Sequence, residues 1–90
     1  MYLQAQRSAH KDRVQALVHV KSADAIASGS RNGTVKMWKE EGFGHNKGDQ
    51  GQPITEILAH PNSSVTDLVY QDSKLFTASG DTTVKIWAVK

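Results

Sequence analysis

A chain of 90 residues, 38% hydrophobic, 22% charged and with a formal charge of +2, has a globular composition and fills at most one small domain. A balance this mild, with no cluster of Arg or Lys, argues against a nucleic-acid partner, and no apolar run approaches the roughly 18 residues of a membrane span. Zero cysteines remove disulfides and thiolate metal sites, and the first ten residues lack the apolar centre of a secretory signal, so an intracellular protein of the cytoplasm or nucleus is expected.

Tyr2 to Ser8 reads as a short extended segment leading into His10, and the polar turn Lys11-Asp12-Arg13 follows. Val14 to Val20 is valine-rich and reads as a strand. Ala25 to Ser30 is a second strand of small side chains, as a strand packed closely between neighbours requires. Asn32-Gly33 is a two-residue hairpin signal, because a type I′ turn needs positive φ at both central positions. Thr34 to Trp38 then alternates with the period of a half-buried strand.

Lys39 to Pro53 carries four glycines and mixed charge, and so reads as a loop. Ile54 to Ala59 alternates again and ends at His60. A second unit repeats the first: a turn at Pro61 to Ser64, a strand over Val65 to Tyr70, a turn at Gln71 to Ser73, then strands over Lys74 to Ser79 and Thr83 to Ala88. No segment reads as a helix. The pattern predicts an all-β, antiparallel meander built from two similar units.

Aligned on their tryptophans, the units share four chemistries. A histidine lies 28 residues before Trp38 (His10) and 27 before Trp87 (His60). A hydroxyl lies ten before each (Ser28, Thr77) and an Asx residue six before each (Asn32, Asp81). Such groups can form one network, and buried indole and imidazole nitrogens need partners, since each left unsatisfied costs about 1–3 kcal/mol.

These residues and offsets resemble WD-repeats, the blade sequence of β-propellers. The resemblance covers nearly the whole chain and implies antiparallel four-stranded blades, here two repeats of a partial propeller. It implies residues 1–9 as the outer strand of a preceding or partner blade. Residues 10–59 would be the first repeat, with the glycine-rich loop 39–53, and residues 60–90 a second repeat lacking its outer strand. The structural tetrads it implies are His10, Ser28, Asn32, Trp38 and His60, Thr77, Asp81, Trp87. Asn32 stands where the family has aspartate; it keeps an acceptor but loses the charge, so the first network should be weaker. Ala9 and Ala59 replace the usual glycine before the histidine, and Lys39 and Ala88 follow the tryptophans in place of aspartate.

Because propellers have about 4–8 blades, two repeats leave three arrangements open. The chain is a part of a longer propeller, or copies of it assemble with Tyr2–Ser8 completing a neighbour's last blade, or it sits within a larger complex or is a marginal open pair. The resemblance implies a non-catalytic scaffold for protein–protein interaction; the alternative is a self-assembling module closed by strand exchange between chains. Protein partners are expected, among them remaining blades or further copies, with no cofactor, metal, nucleic acid, membrane or small-molecule substrate. Candidate partner-binding positions are the loop residues Lys11, Asp12, Arg13, Arg31, Asn62 and Ser63, since recognition concentrates on polar loop tips of a rigid scaffold.

Other signals favour plainer readings. The four histidines show no metal-ligand spacing. In the glycine-rich loop Lys47 precedes Gly48 and Asp49 follows it, which departs from a phosphate-binding loop. Asn32-Gly33-Thr34 and Asn62-Ser63-Ser64 match the glycosylation sequon, but Asn32 is expected to be buried in its turn. Histidine, hydroxyl and aspartate recur without oxyanion donors, so they do not read as a catalytic triad.

Overall fold

A computed structural model describes residues 1–3, 9–21, 24–39 and 53–88. Seven strands form two antiparallel sheets. In the first, β1 (Val14–Val20), β2 (Ala25–Ser30), β3 (Thr34–Lys39) and β4 (Thr55–Leu58) lie in chain order. In the second, β5 (Val65–Gln71), β6 (Lys74–Ser79) and β7 (Val84–Ala88) do the same. There is no α-helix among the described residues.

The repeat extends to irregularities of register. β1 slips against β2 between Val14 and Ala16, and β5 slips against β6 between Val65 and Asp67. A bulge placed identically in both sheets bends each inner strand at its start and re-aims the side chains that follow.

The core lies between the sheets. The first sheet contributes Val20, Ala25, Ala27 and Val35, the second Val65, Leu68 and Leu75, and Ala59 joins them from the connection. Each fully buried Val or Leu contributes about 1.5–3 kcal/mol. The small side chains of β2 have a direct cause. A Cβ on Gly29 would lie 2.9 Å from the Cβ of Val65, so β5 approaches β2 at a distance that only glycine permits.

Some strand bounds differ from those expected, and two expected segments fall largely outside the described residues. Of the segment expected as an outer strand, Tyr2 and Leu3 are exposed and residues 4–8 lie outside the described residues. Strand β4 spans four residues rather than the six of Ile54 to Ala59; the flanking Ile54 amide still donates to the Met37 carbonyl of β3, and the Ala59 amide to the Gly33 carbonyl in the turn before it. Strand β7 begins at Val84; Thr83 is held in the preceding turn by Asp81. Strand β5 runs on through Gln71, which pairs with Lys74. Residues 40–52, most of the expected glycine-rich loop, lie outside the described residues.

Candidate functional site: a polar network and the rim it supports

In the second unit the four expected residues form one hydrogen-bonded chain. The Trp87 indole N–H donates to Thr77 Oγ1 at 3.1 Å, and Thr77 Oγ1 lies 2.8 Å from His60 Nε2. His60 Nδ1 faces both Thr83 Oγ1 at 3.1 Å and Asp81 Oδ2 at 3.3 Å. Since the Thr83 hydroxyl donates to Asp81 Oδ1, it accepts from His60. That order of donors places the ring proton on Nδ1 and leaves Nε2 to accept from the Thr77 hydroxyl. His60 and Thr77 are fully buried, and every polar atom of this chain is satisfied.

Asp81 also closes its own turn by accepting the Thr83 amide at 2.9 Å. The Thr83 hydroxyl and amide, with His60 behind them, hold its carboxyl down at about 2. Thr83 is therefore part of this network, although its hydroxyl was not among the residues expected from the spacing.

The first unit is built differently. The Trp38 indole donates to Ser28 Oγ at 3.1 Å, and Ser28 Oγ meets His10 Nε2 at 2.7 Å. Asn32 does not join them. Its Oδ1 accepts the Thr34 amide at 3.1 Å, and its own amide donates to Ser30 Oγ at 3.4 Å. The residue is exposed, contrary to the expectation that its turn would bury it. His10 is half-buried, and burial, reinforced by the Lys36 ammonium, pushes its pKa below the ordinary value.

These networks anchor a row of loops along one rim. Arg31 Nε lies 3.2 Å from Asp12 Oδ1, and the Arg31 amide donates to the Arg13 carbonyl at 2.9 Å. The Arg13 amide, with the Arg31 guanidinium beside it, holds the Asp12 carboxyl below the usual carboxylate range. The turn that carries Arg31 then meets the start of the second unit. The Gly33 carbonyl accepts the amides of Ala59 at 2.9 Å and His60 at 3.1 Å. Next, the Ser63 amide donates to the His60 carbonyl at 3.1 Å, and the Gly80 amide to the Ser64 carbonyl at 3.2 Å. Asn62 has φ 64°, a left-handed conformation that asparagine tolerates. Of the candidate loop positions, Asp12 and Arg31 satisfy each other, Ser63 is half-buried in its turn, and Lys11, Arg13 and Asn62 are exposed.

The family model for the WD domain, G-beta repeat, matches residues 2–39 and 51–88, which accounts for both units. The chain belongs to the WD-repeat family. Among relatives, it is 33% identical over 88 residues to the kinesin-like protein KIF21A of Homo sapiens. It is 31% identical over 81 residues to polyadenylation factor subunit 2 of Candida albicans and 32% identical over 82 residues to THO complex subunit 3 of Arabidopsis thaliana. These alignments take in 98%, 88% and 87% of this chain, but only 5%, 13% and 24% of those proteins. Among solved structures, the computationally designed Ika4 protein superposes with a TM-score of 0.71 at 27% identity, over 90% of this chain and 44% of that one.

Both WD-repeats use a further residue that the spacing argument passed over. Lys36 Nζ donates to the Ala9 carbonyl at 3.0 Å, and Lys85 Nζ donates to the Ala59 carbonyl at 2.7 Å. Each lysine stands two residues before its tryptophan and ties strand three to the residue preceding the histidine. The signal was present as the repeated VKMW and VKIW, in which a lysine takes an inward-alternating position. Lys36 also sits 5.9 Å from the Trp38 ring centroid, within cation–π range. No group of three or more His, Cys, Asp or Glu able to hold a metal ion occurs among the described residues.

Proposed function

We propose that this chain acts as a non-catalytic scaffold, presenting the rim formed by Lys11 to Arg13, Arg31 to Asn32 and Asn62 to Ser64 to a protein partner in the cytoplasm or nucleus. WD-repeats generally mediate protein interactions, and the family is generally without catalysis of its own. The observation that carries the reading is the set of contacts joining Asp12 to Arg31, Gly33 to His60 and His60 to Ser63, with Arg31 and Gly33 in one turn. It fixes loops that are 50 residues apart in sequence into one surface. Ordering those loops in advance removes an entropic cost that binding would otherwise carry.

Exposed Lys11 and Arg13, beside a turn in which Asp12 and Arg31 neutralise each other, favour a partner surface with acidic character. A photo-crosslinking residue at Asn62 of the full chain tests this, compared with one at Asp72, in the hairpin at the opposite ends of the strands. The expected result is a discrete crosslinked protein from position 62 that is lost when Lys11→Glu and Arg13→Glu are introduced together. Equal labelling from both positions, or labelling indifferent to the charge reversal, overturns it.

A further inference from the structure

The glycine that joins the two units is also the residue that makes its neighbour reactive. Asn32 is exposed and Gly33, which follows it, is buried. An asparagine side-chain amide is attacked by the backbone nitrogen of the next residue once that nitrogen loses its proton. Glycine, without a Cβ, leaves the nitrogen unshielded. Packing denies a shield at this position, because φ at Gly33 is 92° and the His60 carbonyl fills the place of a Cβ. The second unit differs at both positions, where Asp81 is already a carboxylate and Thr82 is β-branched.

In the closed structure the attacking nitrogen is engaged. The Gly33 amide donates to the Ser30 carbonyl at 3.1 Å, and the Thr34 amide holds Asn32 Oδ1 at 3.1 Å. Ring closure between the Gly33 nitrogen and Asn32 Cγ requires the intervening peptide to rotate. The Gly33 carbonyl opposes that rotation, since it is pinned by the amides of Ala59 at 2.9 Å and His60 at 3.1 Å. Reaction is thus confined to molecules in which the turn has parted locally from His60.

We propose that Asn32 is a self-modification site gated by the Gly33–His60 junction, and that its isoaspartyl product keeps the junction open. The deprotonated Gly33 nitrogen bonds to Asn32 Cγ, the Cγ–Nδ2 bond breaks, and Nδ2 leaves as ammonia with the proton that Gly33 lost. The succinimide so formed takes up one water. Hydrolysis at Cγ gives aspartate, whereas hydrolysis at the backbone carbonyl gives isoaspartate, with the main chain running through Cβ and Cγ. One water is consumed and one ammonia released, with no change of oxidation state.

The two products differ in consequence. Aspartate gives the first turn the side chain that serves the second, where Asp81 accepts the Thr83 amide at 2.9 Å. Isoaspartate lengthens the main chain by one atom between residues 32 and 33. Gly33 then cannot stay within hydrogen-bond reach of the Ser30 carbonyl, the Ala59 amide and the His60 amide together. A passing separation of the two units becomes a permanent one.

Incubation of the full chain at neutral pH, folded and in denaturing guanidinium chloride, tests this. Trypsin cuts after Arg31 and Lys36, so the peptide 32–36 carries Asn32 as its one asparagine, and mass spectrometry reads its conversion. Conversion is expected in denaturant, and at least about tenfold more slowly in the folded chain, since only the open fraction reacts. Thr77→Val, which removes a partner of His60 without touching the turn, is expected to speed the reaction at least about threefold while circular dichroism shows it folded. The isoaspartyl form, separated by chromatography, is expected at a lower urea midpoint than the fresh chain, and Asn32→Asp at an equal or higher one. Equal rates in the folded and denatured chain overturn the proposal, as does an absence of conversion in denaturant. An isoaspartyl chain with an unchanged midpoint overturns it as well.

Discussion

Gly33 and His60 meet backbone to backbone: the His60 amide donates to the Gly33 carbonyl at 3.1 Å, while the His60 carbonyl occupies the place of a Gly33 Cβ. The hairpin turn of the first unit is thereby locked to the first buried residue of the second. The position demands glycine twice, for the contact and for φ of 92°.

Gly33→Ala is accordingly expected to cost at least about 2 kcal/mol, from the left-handed backbone and the overpacking together. Urea denaturation followed by tryptophan fluorescence measures it. A loss below about 0.5 kcal/mol would mean that the turn and His60 can separate freely, against the expectation for an overpacked site.

Thr82→Gly is expected to act in the opposite direction. A β-branched residue at φ 75° is strained, and glycine relieves that strain at some cost in chain entropy. The expected net change is a gain of about 0.5–1 kcal/mol in the same assay.

Thr77→Val removes the hydroxyl that joins His60 to Trp87 while keeping the volume of the side chain. The expected loss is about 1–3 kcal/mol, because a buried imidazole nitrogen and an indole N–H lose their partner together. Thr77→Ser keeps the hydroxyl and gives up one methyl, at about 0.8 kcal/mol. Equal losses for the two variants would refute a role for the hydroxyl.

Asp81→Ala is expected to lower the urea midpoint more than Asn32→Ala. Asp81 serves the turn and His60, whereas Asn32 serves the turn alone. Chemical denaturation of both variants at neutral pH decides it, and a larger effect at Asn32 would contradict the difference between the networks.

Stability is expected to fall in two stages on acidification. The His10 pKa is depressed in the folded chain, so the unfolded chain binds its proton first. That contribution is complete above the ordinary value of 6.5 and declines as pH falls below it. Asp81, held near 2 against 3.8 when unfolded, contributes fully above 3.8 and is lost as pH falls toward 2. Thermal melts across this range should show the upper stage removed by His10→Gln and the lower one reduced by Asp81→Asn.

What the sequence determined by itself was the repeat. Tryptophan, hydroxyl, Asx and histidine recur at nearly equal offsets and strand alternation is local, so strands β1, β2 and β6 were legible to the residue. The turn between β2 and β3 was placed correctly but not its type: Gly33 has positive φ, Asn32 does not, and the Gly33 amide closes the turn on the Ser30 carbonyl. Only the tertiary structure decided which of those groups touch. Asn32 and Asp81 stand at the same offset, yet only Asp81 reaches a histidine, because a carboxylate with two acceptor oxygens can close its turn and still meet His60. The need for Gly29 beneath Val65, the union of Gly33 with His60, and the choice of covered face depend on two twisted sheets meeting at one angle. Those contacts join residues 36 and 27 positions apart, and no periodicity within a single strand contains them.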